Sequence, residues 1–228
     1  MHLIIVGRGK MARLFQEECQ RLAINCTNPS ELPLPLVDKK ENPIVIHVGS
    51  GRFLLDLIVE CGKHGYPLVQ ASSGQMLPDS AFVPIPVINA PNLGLLILAL
   101  LDVMPRLGTL TRELGAKVEV AESHQASKTS PPITAQIIAG YFGNPSESVN
   151  SIRNTGIQTT LGVPTEYLDG HAYHFINIKA HGVEAEITFK VHGRKAYFLG
   201  AVALAQKMID MGDKLTPGIY SANKIVFA

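Results

Sequence analysis

The sequence predicts an α/β protein in two parts, a parallel-sheet domain and a second, α+β domain built on a mixed sheet. Three observations carry this. The N-terminal third repeats short, wholly apolar runs that each end in a polar, glycine-rich stretch, as parallel strands buried on both faces do. The first run passes through Gly7-Arg-Gly-Lys-Met-Ala12 straight into a helical pattern, the strand, turn and helix succession of a Rossmann-like unit. Beyond Leu93 the pattern changes to a long apolar helix and then to strands that alternate polar with apolar residues, in the antiparallel manner.

Residues 2–6 form the first strand. Gly7 permits the tight turn, Gly9 lets a pyrophosphate approach the backbone, and Ala12 is small enough for the helix over 11–22 to pack closely on the strand. The same residues also suit a plain tight turn with no ligand. A short second strand over 23–26 ends in Thr27-Asn28, where this fold commonly carries a ribose-binding acid, so the choice between NADH and NADPH stays open. Lys39-Lys40 could assist a phosphate or stand as a solvated pair, and 29–35 is a proline-rich loop. The third strand, 43–48, ends in Gly49-Ser-Gly51. A helix over 53–61 follows, closed by Gly62. Strand 68–71 ends in Ser72-Ser-Gly74, and strand 83–88 in Asn89-Ala-Pro-Asn-Leu-Gly94. Open parallel sheets bind ligands beyond the carboxyl ends of their strands, where these stretches fall.

The second part opens with an apolar helix over 93–107. Strands are expected over 117–121, 156–161, 171–180 and 183–191, and helices from Thr134 and over 200–211, before Pro217-Gly218 turns the chain into a short last segment. Between the first strand and the helix at Thr134 lies a polar loop, 123–130, whose largest aliphatic side chain is Ala126. It presents His124 and Lys128 near a helix N-terminus, where free N–H groups attract anions. That layout suits binding a small carboxylate and giving it a proton. A solvated His and Lys pair is the simpler alternative.

With 20 basic and 19 acidic residues and a net charge of +1, the chain has no electrostatic footprint for nucleic acid or an anionic membrane. Cys19, Cys26 and Cys61 lack metal-ligand spacing and sit in apolar contexts, as reduced thiols of a cytoplasmic protein would. The first strand begins at residue 2, so no charged leader is expected, and the longest apolar run, 93–103, is too short to span a bilayer. His171, His174, His181 and His192 lie along alternating strands without a ligand constellation, so no metal is expected. His47, at a strand end, is either a nicotinamide contact or a hydrogen-bonded strand terminus. Ser72 and Ser73 lack a nucleophile elbow.

Taken together, several segments resemble the 4-hydroxy-tetrahydrodipicolinate reductase (dihydrodipicolinate reductase) family. Its Glu-x-His-His-x-x-Lys-x-Asp-Ala-Pro-Ser-Gly-Thr-Ala signature stands here, one residue shorter, as Glu122-Ser-His-Gln-Ala-Ser-Lys-Thr-Ser-Pro-Pro-Ile-Thr-Ala135. Gly7-Arg-Gly-Lys-Met11 is similar to the family's Gly-x-Gly-x-Met turn, Ser72-Ser-Gly74 to its Thr-Thr-Gly, and Asn89 to Gly94 to its hinge. Gly170-His171, Ile187-Thr-Phe-Lys190 and the segment 194–201 extend the likeness over almost the whole chain.

The resemblance implies a dinucleotide-binding domain over 1–92 and 199–228, with a substrate-binding and oligomerisation domain, 93–198, inserted between. It implies NADH or NADPH as cofactor, a cyclic imine dicarboxylate as substrate in lysine and diaminopimelate biosynthesis, and assembly as a homotetramer or dimer. By position, His124 is the general acid and Lys128 the catalytic cation and substrate anchor. Gln125, Ile133 and Thr134 line the substrate site. Gly7, Arg8, Gly9, Lys10, Met11, Gly49, Ser72, Ser73, Gly74, Ala90 and Asn92 hold the cofactor.

The chain departs from the family at Gln125, which replaces the second His, at Ile133, which replaces a Gly, and at Phe189, which replaces a His. Thr159-Thr-Leu-Gly-Val163 takes the place of an Arg-Gly-Gly turn. Each lost hydrogen bond to a charged group removes about 1.5–3 kcal/mol. Two alternatives therefore stay open: a reductase of a less anionic imine or enone, and a catalytically silent NAD(P)-binding sensor or scaffold.

Overall fold

A computed structural model describes residues 1–29, 32–72, 77 and 82–227. The chain forms two compact units, Met1–Leu95 with Lys195–Ala228, and Leu96–Arg194. These junctions fall a few residues from cuts at 92/93 and 198/199, because helices start at Leu95 and at Lys195.

The first unit runs β1 (His2–Val6), α1 (Lys10–Arg21), β2 (Asn25–Thr27), β3 (Pro43–His47), α2 (Leu54–His64), β4 (Leu68–Gln70) and β5 (Pro86–Asn89). The second contains most of α3 (Leu95–Glu113), then β6 (Lys117–His124), α4 (Ile133–Tyr141), β7 (Asn150–Ile152), α5 (Thr155–Thr160), β8 (His171–Ala180) and β9 (Val183–His192). The chain then returns to the first unit as α6 (Lys195–Met211), β10 (Gly218–Ser221) and α7 (Ala222–Val226).

In the first unit six parallel strands lie in the order β10-β5-β4-β3-β1-β2. Leu3, Ile4 and Ile5, Val45 and Ile46, Leu68 and Val69, and Val87 and Ile88 are all buried, the continuous apolar runs that parallel pairing demands. Phe15 of α1 meets Phe198 of α6 edge-on at 5.2 Å. Gly200 lets α6 touch backbone, since a Cβ there would lie 1.6 Å from the Leu93 carbonyl oxygen. α6 starts at Lys195 and not at residue 200, and Gly200 is a packing point inside the helix.

Likewise Gly62 does not close α2. A Cβ at Gly62 would come within 2.7 Å of the Pro84 ring, and the helix runs on to His64, ending at the left-handed Gly65 (φ 70°). β5 begins at Pro86, later than the expected residue 83. Val83 and Ile85 are buried, but proline at 84 and 86 removes two ladder donors.

The second unit has a mixed sheet, β7-β6-β8-β9, with β7 parallel to β6 and the other pairs antiparallel. His181 and Gly182, both at positive φ, turn β8 into β9. Three expectations are corrected here. β6 runs to His124 and does not stop at residue 121; its last turns of pattern are the buried polar Glu122 and Ser123, which hydropathy alternation cannot show. Residues 156–161 fall largely in helix α5 and form no strand, because the Asn154 side chain accepts from Ile157 N–H at 3.1 Å and caps the helix. The short strand β7 was not expected at all.

Candidate active site

The second unit gathers Glu122, His124, Lys128 and Arg153 at the carboxyl end of β6. Glu122 sits on the face that Val118 and Val120 establish with period two, so its side chain is carried into the interior, where it is fully buried. A buried carboxylate requires partners. Arg153, just after β7, supplies a two-pronged pair, Nη2 donating to Oε1 at 2.6 Å and Nη1 to Oε2 at 3.1 Å. His124, two residues on, donates its Nδ1–H to Glu122 Oε2 at 2.5 Å. Burial alone would raise the Glu122 carboxyl, but hydrogen bonds from His124, Arg153 and Ser151 prevail and hold it at about 2.

This pairing orients His124. With Nδ1 committed to Glu122, Nε2 has no hydrogen-bond partner among the described residues and is the atom left to carry a proton to or from a ligand. The strand end is itself anchored: the buried Gln158 amide on α5 donates to the His124 carbonyl at 2.6 Å and to the Ile152 carbonyl at 3.2 Å. Burial lowers the His124 pKa, Glu122 raises it, and the cations of Lys128 and Arg153 lower it again, leaving it below the ordinary 6.5. Lys128 stands in a turn closed by its N–H to the Gln125 carbonyl, and its ammonium donates to Ser130 Oγ at 2.6 Å. Burial and then repulsion from Arg153 lower its pKa, and Glu122 opposes them.

Around this cluster the imidazoles are held neutral. His174, opposite Glu122 in the register of β6 and β8, meets the His124 ring edge-on at 5.7 Å, and burial lowers it to about 3. His171 Nδ1–H donates to the Tyr167 carbonyl, so its Nε2 accepts from the Ser123 hydroxyl at 2.8 Å.

Of the residues expected from sequence, His124 and Lys128 fall within electrostatic reach of one another. Gln125 lies on the Lys128 turn, Ile133 is the first residue of α4, and Thr134, the second, is buried. Glu122, Arg153, Gln158 and His174 were missed. The acid at the inward-facing position of an apolar strand was the available signal for Glu122. Arg153, just after β7, brings to this cluster a guanidinium that the sequence pattern did not single out.

In the first unit the expected cofactor residues line the carboxyl edge of the parallel sheet. Gly7, Arg8, Gly9, Lys10 and Met11 follow β1; Gly49 follows β3; Ser72 follows β4; Ala90 and Asn92 follow β5. Ser73 and Gly74 lie outside the described residues. The cradle fits a dinucleotide. Gly7 is pressed to the Val48 backbone, where a Cβ would lie at 3.1 Å, whereas a Cβ on Gly9 would meet nothing within 4 Å. Gly9 is also the N-cap of α1, whose first turn has neither a side-chain cap nor an acid, so its N–H groups and dipole suit a phosphate. Among the described residues no cluster of three or more His, Cys, Asp or Glu could hold a metal ion, and no helix is long and apolar enough to cross a membrane.

No family model matches the chain. A protein of Oryza sativa subsp. japonica named probable 4-hydroxy-tetrahydrodipicolinate reductase 1, chloroplastic, is 30% identical over 185 residues, covering 68% of this chain and 53% of its own. The Arabidopsis thaliana 4-hydroxy-tetrahydrodipicolinate reductase 2, chloroplastic, is 28% identical over 171 residues, 67% of this chain and 49% of its own. The chain belongs to the 4-hydroxy-tetrahydrodipicolinate reductase family. It spans about half the length of the curated relatives it matches. The fold agrees: a dipicolinate-bound dihydrodipicolinate reductase from Paenisporosarcina sp. TG-14 superposes with a TM-score of 0.60 at 14% identity, over 97% of each chain. At that identity the likeness is one of fold, and it extends to the Rossmann-like sheet and the second, mixed sheet of this reductase family member.

Proposed function

We propose that the protein is an NAD(P)H-dependent reductase of a cyclic imine dicarboxylate, of the 4-hydroxy-tetrahydrodipicolinate reductase type, acting in lysine and diaminopimelate biosynthesis. The observation that carries this is the Glu122, His124 and Arg153 cluster with Lys128 beside it: one imidazole with a single unengaged nitrogen, ringed by cations. The glycine turn after β1, with Arg8, Lys10, Met11, Gly49, Ser72, Ala90 and Asn92, would hold the dinucleotide, which supplies hydride when bound.

The chain's own part in the chemistry is binding and proton transfer. Lys128, Arg153 and the N-terminus of α4 at Ile133 and Thr134 attract carboxylates. Burial and then the cations of Lys128 and Arg153 lower His124. An anion placed among these groups offsets the cations' share and favours the protonated ring, which gives its proton from Nε2 to the carbon beside the reduced one. Ile133, a branched residue at the first position of α4, favours a second reading, a less anionic imine or enone as substrate.

The direct test offers the purified protein NADPH or NADH with the condensation product of pyruvate and aspartate semialdehyde. Cofactor oxidation is expected, with His124→Ala reducing kcat by about 10²-fold or more. Cofactor binding without oxidation would leave the silent sensor in its place, and turnover of a neutral imine alone would favour the second reading.

Three unpaired thiols support a reducing compartment such as the cytoplasm. The exposed outer strand β9 supports assembly as a homo-oligomer, since an open edge favours pairing with another copy. Sedimentation at micromolar concentration should show a dimer or tetramer.

A further inference from the structure

The carboxyl edge of the parallel sheet carries a row of polar side chains that the turn after β1 does not explain. Register aligns His47 on β3, Gln70 on β4 and Asn89 on β5, and they are only 4%, 0% and 6% exposed. His47 Nδ1–H donates to Gln70 Oε1 at 2.6 Å, and Gln70 Nε2 donates to Ser72 Oγ at 2.7 Å, so that part of the row satisfies itself. Asn89 stands apart. Its Nδ2 donates to the Leu77 carbonyl at 2.8 Å, and because a carbonyl can only accept, this contact fixes which end of the amide is which. Oδ1 is then left buried with no hydrogen-bond partner among the described residues. A buried acceptor without a donor carries a desolvation cost and calls for an explanation.

The sheet order says which part of a dinucleotide would meet it. The pyrophosphate belongs at the turn after β1, and the adenosine ribose is read at the end of β2. β2 is the outer neighbour of β1, so the other half of the cofactor must extend the opposite way, across the ends of β3, β4 and β5. We propose that Asn89 Oδ1 accepts a hydrogen bond from the carboxamide NH2 of the nicotinamide ring, which makes Asn89 the residue that recognises the reactive end of the cofactor. This rests on the nucleotide-binding function proposed above.

The test compares binding of oxidised NAD, its 3-acetylpyridine analogue and ADP-ribose by calorimetry, with the 2′-phosphorylated series alongside. The analogue replaces the NH2 by a methyl group and has no donor to offer. The unaltered protein should bind NAD about tenfold more tightly than the analogue. Asn89→Leu should bring NAD down to the analogue's affinity and leave ADP-ribose unchanged. Equal affinity of the unaltered protein for NAD and the analogue overturns the assignment without need of a variant. A variant that loses ADP-ribose as much as NAD makes Asn89 merely structural, which also overturns it. If neither NAD nor ADP-ribose binds the unaltered protein, nucleotide binding itself fails; if ADP-ribose binds and the analogue is not discriminated, only Asn89 does.

Discussion

Glu122 controls His124 through both geometry and charge, and the two can be separated. Glu122→Gln keeps the shape but removes the charge that raises His124, so the imidazole should titrate lower still; Arg153→Ala removes a cation that lowers it, so the imidazole should titrate higher. Proton NMR of the ring in each variant reads the two directions, and a shift of the same sign in both would contradict the electrostatics described. In the free protein the protonated ring is present below its depressed pKa and is lost as pH rises through it. For a step that consumes this proton, kcat/KM should therefore climb toward acid with a midpoint below 6.5. Arg153→Ala also strands a buried carboxylate; because the guanidinium is a quarter exposed, the cost should be about 3 kcal/mol, at the low end for breaking a buried pair. His124 and Lys128 were legible in the sequence because a polar stretch between two patterned segments announces itself. Arg153 was not, since it reaches Glu122 only through the pairing of β7 with β6, a contact between distant segments that local pattern does not encode.

At the scale of elements, strands with wholly apolar sequences were read well, and polar or proline-marked ends were not. β1, β3 and β8 are continuous or alternating apolar stretches. α5 defeated the pattern because its threonines suit a strand by propensity, while a cap from Asn154 and the seating of Gln158 on two carbonyls settle it as a helix. Glycines inside helices divide in the same way, by what they touch. Gly200→Ala would drive a methyl into the Leu93 carbonyl and should cost more than about 3 kcal/mol. Gly140→Ala, at the exposed penultimate position of α4 with nothing within 4 Å of the new methyl, should stabilise by about 0.5–1 kcal/mol. Thermal denaturation of the pair should show opposite signs.

For the whole molecule, buried neutral imidazoles set the response to acid. His47, His124, His171 and His174 all have pKa values lowered by burial, His174 to about 3. A folded-state value below 6.5 means that the unfolded chain takes up protons first as pH falls. Stability is thus intact above 6.5 and declines below it, with His174 adding to the decline down to about 3. Glu122, held at about 2, adds a further decline below 4.5. Tm should drop steadily between pH 6.5 and 4, and His174→Phe should flatten the curve.

The parallel sheet is assembled from both ends of the sequence, since β10 pairs with β5 across the whole of residues 96–194. On the ribosome, β5 emerges long before its outer neighbour exists, with one flank of backbone donors and acceptors bare. The intervening unit is continuous and can close while the nascent sheet still waits. Released chains truncated near residue 200, which lack β10, should therefore yield a protease-resistant fragment over residues 96–194 and an N-terminal portion that is cleaved readily and aggregates.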